Sequence, residues 1–278
     1  MRIEGWMANV DARKSFLERY GPWAVVTGGS EGVGAAWGRA LVDRGLGVVL
    51  VARRPEPLEA TAEMLRERGG DVRTLSLDIT VPDVVEQLRS VTDDIEIGTL
   101  ILNAGAVRER EYTWFLDESI ESIESVVVLN TLATVRLVHG YGRPMRERGS
   151  GAIIIVGSLS GMAGQSFEAA YSGAKAFGQI FAEGMWCELR DHGVDVVSMP
   201  LGGTRTDGLE QSTLDIDFSA IPTAQEVVDE MIEHFGDGPV FVPNEKNRLF
   251  FDKVTRSTRR DAAETMTRLA YRVRPKPS

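Results

Sequence analysis

The feature that most constrains this chain is a set of short apolar runs separated by stretches long enough for helices. The runs are Trp23–Thr27, Gly47–Ala52, Val72–Leu77, Thr99–Leu102, Ala152–Val156 and Val194–Met199, with Val240–Val242 as a short seventh. Most are continuously apolar rather than alternating, which suggests a sheet covered on both faces. The intervening stretches carry helix signals. Gly34–Arg44 ends before Gly45, and Pro57–Arg68 ends before Gly69 and Gly70. Val81–Val91 has Pro82 near its start, where proline is tolerated. Glu118–Arg148 reads as one long or broken helix, and Ala169–His192 as another. Thr223 opens a helix to Phe235, with Glu226 three residues on, a capping-box pattern. Strands alternating with helices predict an α/β fold: a doubly wound parallel sheet with right-handed crossovers. No repeat, low-complexity tract or linker divides the chain, so residues 1–278 are expected to form a single domain. The charged segment 244–278 is expected to supply a C-terminal surface helix and a fraying tail.

Charge and cysteine content remove several functions. Lysine plus arginine total 31 against 41 acids, a net charge of −10. That balance disfavours nucleic acid and anionic membrane surfaces as partners. A lone cysteine, Cys187, excludes a disulfide framework and a cysteine-rich zinc site. His139, His192 and His234 lack metal-ligand spacing, so no metal is expected. No apolar stretch reaches membrane-spanning length. The segment Met1–Phe16 contains Glu4, Asp11 and Arg13 and is no secretory signal. The expectation is a soluble, cytoplasmic protein. Only five basic residues are lysine, and Lys175 is the single one between residues 15 and 245.

The first strand runs into Gly28-Gly29-Ser30-Glu31-Gly32-Val33-Gly34 and then a helix. Glycines there let the backbone turn tightly and approach a pyrophosphate at a helix N-terminus. A merely tight strand–helix turn is the plainer reading, but the setting in a first βαβ unit favours nucleotide binding. The second strand ends in Arg53-Arg54, where a dinucleotide's adenosine ribose would lie. Arginine suits the 2′-phosphate of NADP, whereas an acid suits the free hydroxyl of NAD. NADP is therefore the expected cofactor, with NAD as the alternative. Asp78-Ile79 and Asn103-Ala104-Gly105 end the third and fourth strands, where ligands of open α/β sheets lie, although such residues also make ordinary turns.

Tyr171 and Lys175 are four apart, on one face of a predicted helix. An ammonium beside a phenol stabilises phenolate and is expected to lower the tyrosine pKa, making a general acid/base usable nearer neutrality. Ser158, just beyond the fifth strand, offers a hydroxyl for a substrate oxygen.

Taken in order, Thr27-Gly28-x-x-x-Gly32-x-Gly34, Asp78, Asn103-Ala104-Gly105, Asn130, Ser158 and Tyr171-x-x-x-Lys175 resemble the pattern of the short-chain dehydrogenases/reductases, whose fold is the Rossmann fold. The likeness covers roughly residues 20–242. It extends more weakly to members using NADPH on hydroxysteroids or long-chain 3-oxoacyl groups. The resemblance implies roles. Tyr171 would exchange a proton with the substrate oxygen, and Ser158 would orient it. Lys175 would hold the nicotinamide ribose and depress the tyrosine pKa. Asn130 would hold a water relaying protons towards Lys175. Asp78 and Ile79 would contact adenine, with Asn103, Ala104 and Gly105 beside its ribose. The reaction implied is hydride transfer between a nicotinamide and a carbonyl or secondary alcohol.

One stretch departs from the family. Pro-Gly followed by threonine is usual after the sixth strand, but this chain has Pro200-Leu201-Gly202-Gly203-Thr204-Arg205-Thr206. Either Leu201 replaces the glycine, with Thr204 the nearer threonine, or Leu201 is an extra residue and Thr206 takes the role. A substrate pocket would draw on Met162, Phe167, Leu201, Leu209, Leu214, Ile216, Phe218 and Ile221, joined by Trp114 and Phe115, although several could equally pack a lid or subunit contact. The resemblance also implies a homodimer or homotetramer paired through the helices 118–148 and 169–192, with Phe177, Phe181, Met185 and Trp186 as interface candidates. A dinucleotide-binding regulator that has lost catalysis is the alternative. The complete Asn130, Ser158, Tyr171, Lys175 set favours the enzyme.

Overall fold

The computed structural model describes residues 16–105, 113–210 and 218–272. Six strands form one parallel sheet: β1 (Trp23–Thr27), β2 (Gly47–Ala52), β3 (Val72–Ser76), β4 (Ile97–Leu102), β5 (Gly151–Ser158) and β6 (Val194–Leu201). Their order is β3-β2-β1-β4-β5-β6. The order reverses between β1 and β4, so a crevice opens at the carboxyl ends of those two strands.

The inner strands are buried on both sides because their residues alternate between two cores, whereas the edge strand β3 buries only Val72. Val26, Leu50 and Ile154 face one core. There they meet α1 (Gly32–Val42) through Trp37 and Leu41, α2 (Pro55–Glu67) through Leu58 and Leu65, and α7 (Ala224–Glu233) through Val227 and Met231. Val25, Val49 and Ile153 face the other. That core is closed by α3 (Val84–Arg89), α5 (Leu132–Arg148) and α6 (Ala169–Leu189), which contribute Leu88, Leu137 and Ala182. Helices on both faces make this a Rossmann-like sheet.

Three expectations change, and one left open is decided. Val240–Val242 is not a strand: Val240 forms only an isolated bridge to Ser198. Pro239 and Pro243 flank it and lack the N–H groups a longer ladder needs. The stretch 118–148 is broken into α4 (Ile120–Asn130) and α5, hinged at Thr131, whose φ of −122° and ψ of −72° leave the helical range. Asn130 and Thr131 both turn their side chains back onto carbonyls four residues earlier, Val126 and Val127. α3 starts at Val84 rather than Val81, with Pro82 lying before the helix. The C-terminal segment forms two helices, α8 (Glu245–Thr255) and α9 (Arg259–Arg272). The break between them is set by Thr258, whose hydroxyl accepts the N–H of Asp261 at 3.2 Å. These helices bury Val254, Ala262 and Met266 against Leu159, Met162 and Ala163, a third core.

Among the described residues no helix is long and apolar enough to cross a membrane.

Candidate active site

The crevice is built around the β1–α1 turn. Gly28 and Gly32 have φ of +67° and +53°, conformations that disfavour side chains. At Gly34 a Cβ would fall 1.9 Å from the Gly28 carbonyl oxygen, so helix and turn touch through bare backbone. The α1 N-cap is Glu31, whose side chain makes no capping bond. The first-turn N–H groups of α1, around Val33, are thus left uncapped and face a site that suits an anion. The Ser30 carbonyl is fixed by the Thr61 hydroxyl at 2.7 Å.

Asn103 has a structural task at the end of β4. Its amide donates to the carbonyls of Thr27 at 3.2 Å and Gly28 at 3.1 Å. Thr27, first residue of the glycine motif, accepts the backbone N–H of both Asn103 and Ala104 on its hydroxyl, a role that no local pattern signals. Together they staple the end of β4 to the glycine turn. Asp78 is exposed and turns onto Thr80, accepting its N–H at 2.9 Å. The Ile79 side chain belongs to the core, which leaves only its backbone to face the crevice.

The two arginines are not equivalent. Arg54 pairs with Glu31 of the glycine turn, both being exposed. The Arg53 side chain is exposed and makes no ion pair among the described residues.

Tyr171 and Lys175 lie one turn apart near the start of α6, with the ammonium 5.7 Å from the phenol ring centre. Lys175 is buried and donates to the Val156 carbonyl of β5 at 3.0 Å. Burial pushes its pKa down to about 8. The expected lowering of the tyrosine is not found: burial pushes Tyr171 up to about 12, outweighing a hydrogen bond with Ser158 that acts downward, while the Glu168 carboxylate acts upward. The lysine's charge is directed at Val156 and is itself penalised by burial, so it does not offset the desolvation of the phenol.

Asn130 is buried, and its Oδ1 has no partner among the described residues. A Cβ on Gly105 would stand 3.1 Å from Lys175 Nζ and 3.5 Å from that same Oδ1, so the three converge. Beside them a cavity of about 10 Å³ is lined by Asn130, Thr134, Val156, Gly157 and Lys175. It has room for about one water.

Ser158 Oγ accepts the Ser160 N–H at 3.1 Å. The Ser160 hydroxyl donates to Glu168 at 3.2 Å, and Gln165 bridges the pair. Nothing in the spacing of Gln165 and Glu168 signals this network, because it depends on how the loop between β5 and α6 folds back on itself.

In the departing stretch, β6 stays in register with β5 through Pro200 and Leu201, opposite Gly157 and Ser158. Leu201, partly buried, packs against the first core, and Met162 is buried in the third. A Cβ on Gly202 would meet Asn247 of α8 at 2.5 Å. Thr204 is buried, donating to the Gly202 carbonyl at 3.2 Å, whereas the Thr206 methyl is 3.0 Å from where a Gly32 Cβ would stand. Gly203 lies against Ile221. Phe167 is buried against Trp114, and Trp114 and Phe115 are exposed. Leu214 and Ile216 lie outside the described residues.

The comparisons agree with this geometry. The family model for short chain dehydrogenases matches residues 22–217. The chain belongs to the short-chain dehydrogenase/reductase family: it is an oxidoreductase of the hydroxyl–keto couple, and the family uses NAD(P). It is 31% identical over 238 residues to the 7beta-hydroxysteroid dehydrogenase of Clostridium sardiniense, covering 84% of this chain and 90% of that one. It is 30% identical over 222 residues to the very-long-chain 3-oxoacyl-CoA reductase of Mus musculus, covering 78% of this chain and 70% of that one. A solved structure of a 7beta-hydroxysteroid dehydrogenase superposes with a TM-score of 0.83 at 27% identity, over 90% of this chain and 98% of that one. A short-chain dehydrogenase from Sphingobium yanoikuyae in complex with NADPH gives 0.74 at 29% identity, over 92% and 98%.

Proposed function

We propose that this chain is an NADP(H)-preferring reductase or dehydrogenase of a bulky, apolar ketone or secondary alcohol. The observation that carries the reading is the convergence of Ser158, Tyr171, Lys175 and the unpartnered Asn130 oxygen at the carboxyl edge of β4 and β5. The residues present fit a dinucleotide: a glycine turn with an uncapped helix N-terminus, a free arginine at the end of β2, and Gly105 open towards Lys175. When bound, the nicotinamide supplies the hydride.

The chain's own residues then act as follows. Gly28, Ser30, Glu31, Gly32, Val33 and Gly34 receive the pyrophosphate, and Arg53 receives the 2′-phosphate. Asp78 and the Ile79 backbone border adenine, with Ala104 and Gly105 nearby. Pro200, Gly202, Gly203 and Thr206 line the nicotinamide end. Thr206 is preferred to Thr204 because it touches the glycine turn while Thr204 is turned inward. Ser158 hydrogen-bonds the substrate oxygen. Tyr171, held protonated by burial, donates a proton to the alkoxide that develops there. Lys175 steadies the ribose, and Asn130 holds a water in the adjoining cavity.

The apolar substrate class is supported by the likeness to enzymes named for hydroxysteroids and very-long-chain 3-oxoacyl groups. The regulator alternative has no observation in its favour: β6 absorbs Leu201 without a bulge, and the acid–base set is complete. We further propose one domain, a cytoplasmic location and a homodimer or homotetramer. Ile120, Val127, Leu132, Phe177 and Ile180 on α4, α5 and α6 are exposed apolar residues that a second copy would cover. The test is NADPH and NADH consumption with a panel of ketones. Turnover of apolar ketones with NADPH is expected, and cofactor binding with no turnover of any ketone would restore the regulator reading.

A further inference from the structure

Glu168 gathers the loop between β5 and α6. One oxygen of its carboxylate accepts the Ser160 hydroxyl at 3.2 Å and also the Gln165 amide. That amide donates in turn to the Ser160 hydroxyl at 3.0 Å. Glu168 is at the same time the N-cap of α6, and its carbonyl accepts the Ser172 N–H at 2.7 Å, opening the turn that carries Tyr171. Its side chain makes no capping bond and serves the loop instead. The residue before it, Phe167, takes a left-handed φ of +70°, which a phenylalanine adopts only where its surroundings hold it. Its ring is packed by Trp114 at 4.7 Å and Tyr271 at 5.5 Å, and the neighbouring Ser166 N–H is accepted by Thr267 of α9 at 3.2 Å. The backbone that presents Glu168 is therefore fixed by packing.

The carboxylate reaches the reacting groups through Ser160. The Ser160 N–H donates to Ser158 Oγ at 3.1 Å, and Ser158 hydrogen-bonds Tyr171. A serine hydroxyl has one proton and two lone pairs. Because Ser160 takes a lone pair, the Ser158 proton is left for the tyrosine or a substrate oxygen. A hydrogen-bonded path thus runs from Glu168 through Ser160 and Ser158 to Tyr171, leaving and rejoining the first turn of α6. Gly161, in the same short turn, is pressed onto that helix: a Cβ there would fall 2.9 Å from the Lys175 carbonyl carbon. The charged groups beside the phenol among the described residues are Lys175, 5.7 Å from the ring centre, and Glu168. Ser158 of β5 and Asn130 of α4, which converges on Lys175, are neutral.

We propose that Glu168 is a positioning residue for the proton transfer: its carboxylate clamps the Ser158–Ser160 turn to the start of α6 and so holds the Ser158 hydroxyl in reach of Tyr171. This rests on the reductase reading above. A second effect comes with the charge. A carboxylate beside the phenol opposes phenolate, the form that has no proton to donate, so Tyr171 stays a donor to higher pH.

The test compares wild type with Glu168→Ala, Glu168→Gln and Glu168→Asp in the NADPH-dependent reduction of a fused-ring steroid ketone. Glu168→Ala removes the acceptor of both donors. Its kcat is expected to fall about tenfold, the worth of one charge-assisted hydrogen bond, while NADPH affinity, read by fluorescence titration, stays near wild type. Glu168→Gln keeps an oxygen that accepts from Ser160 and should recover most of that kcat. It lacks the charge, so its loss of reduction at high pH should set in about half a unit or more below that of wild type. Glu168→Asp keeps the charge on a shorter arm. It should lose kcat with the pH profile in place, and it decides the clamp if Glu168→Ala does not fold. Wild-type kcat in Glu168→Ala or Glu168→Asp overturns the clamp, and so does a loss that Glu168→Gln fails to repair. A Glu168→Gln profile that overlays wild type overturns the role of the charge. All of these outcomes leave the reductase reading in place, whereas wild-type enzyme that binds NADPH and reduces no ketone defeats that reading and the positioning role with it.

Discussion

Lys175 is buried on α6, its ammonium bonded to the Val156 carbonyl, and burial likewise keeps Tyr171 beside it neutral. A neutral phenol is the form that donates, so Tyr171→Phe removes the proton and little else. With a ketone substrate its kcat is expected to fall about 10²- to 10⁴-fold while NADPH binding persists. Wild-type turnover in Tyr171→Phe would require another proton donor. Lys175→Met should impair both turnover and NADPH affinity, because the proposed role of its ammonium is to hold the nicotinamide ribose beside the proton donor. The arginines at the end of β2 divide similarly. Arg54 is already compensated by Glu31, so Arg53 is the cation available to a 2′-phosphate. Arg53→Ala is expected to weaken NADPH about tenfold relative to NADH, the scale of one charge-assisted hydrogen bond, and Arg54→Ala distinctly less. Titrations giving the reverse order would reassign the phosphate site.

At the scale of elements, the glycine turn works because strand, turn and helix are in direct backbone contact. Gly34→Ala would set a methyl 1.9 Å from the Gly28 oxygen, a distance no side-chain adjustment relieves because the opposing atom is backbone. The variant is expected to lose measurable NADPH binding and at least about 1–3 kcal/mol of stability, the range for overpacking. Calorimetry and a cofactor titration would check this, and normal binding by Gly34→Ala would mean that the turn is not the cradle. Much of this level could be read from local pattern. The glycine spacing, the Thr223–Glu226 capping box and the Tyr171–Lys175 pair all depend on residues within a turn or two of each other. The use of Asn103 as a staple could not, since its partners are 75 and 76 residues away.

For the whole molecule, the buried ionisable groups set an alkaline stability profile. Lys175 binds its proton less tightly folded, at about 8, than unfolded, near 10.4. Between those values the unfolded chain holds more protons, so stability rises with pH. Tyr171, Tyr141 and Tyr20 are all shifted upward chiefly by burial. The stability they contribute is whole below about pH 10 and is lost above it. Urea midpoints should climb from about pH 8 towards 10 and then fall, and Lys175→Met should flatten the climb. A midpoint that declines steadily across that window would contradict the burial of Lys175. Assembly is the other property of this scale. Ile180 is 65% exposed on α6, near the stacked rings of Phe177 and Phe181. Ile180→Glu should place a charge in the proposed subunit contact and lower the mass seen by light scattering to that of one chain. An unchanged oligomer, or a monomeric wild type, would move or remove that contact.

The sequence by itself determined the parallel sheet, the position of its crevice and the candidate acid–base residues around it. Those features follow from apolar runs of strand length, glycines at a turn and four-residue helix spacing, all local in the chain. The tertiary structure alone decided how these groups are tuned. It raised the tyrosine's pKa, paired Arg54 with Glu31, packed Leu201 and Met162 against cores and folded 245–272 into two helices that hold the loop after β5. Desolvation and packing come from whatever lies alongside in space, and the α9 contacts on Met162 and Ser166 join residues 97 and 101 apart. No local pattern carries that information.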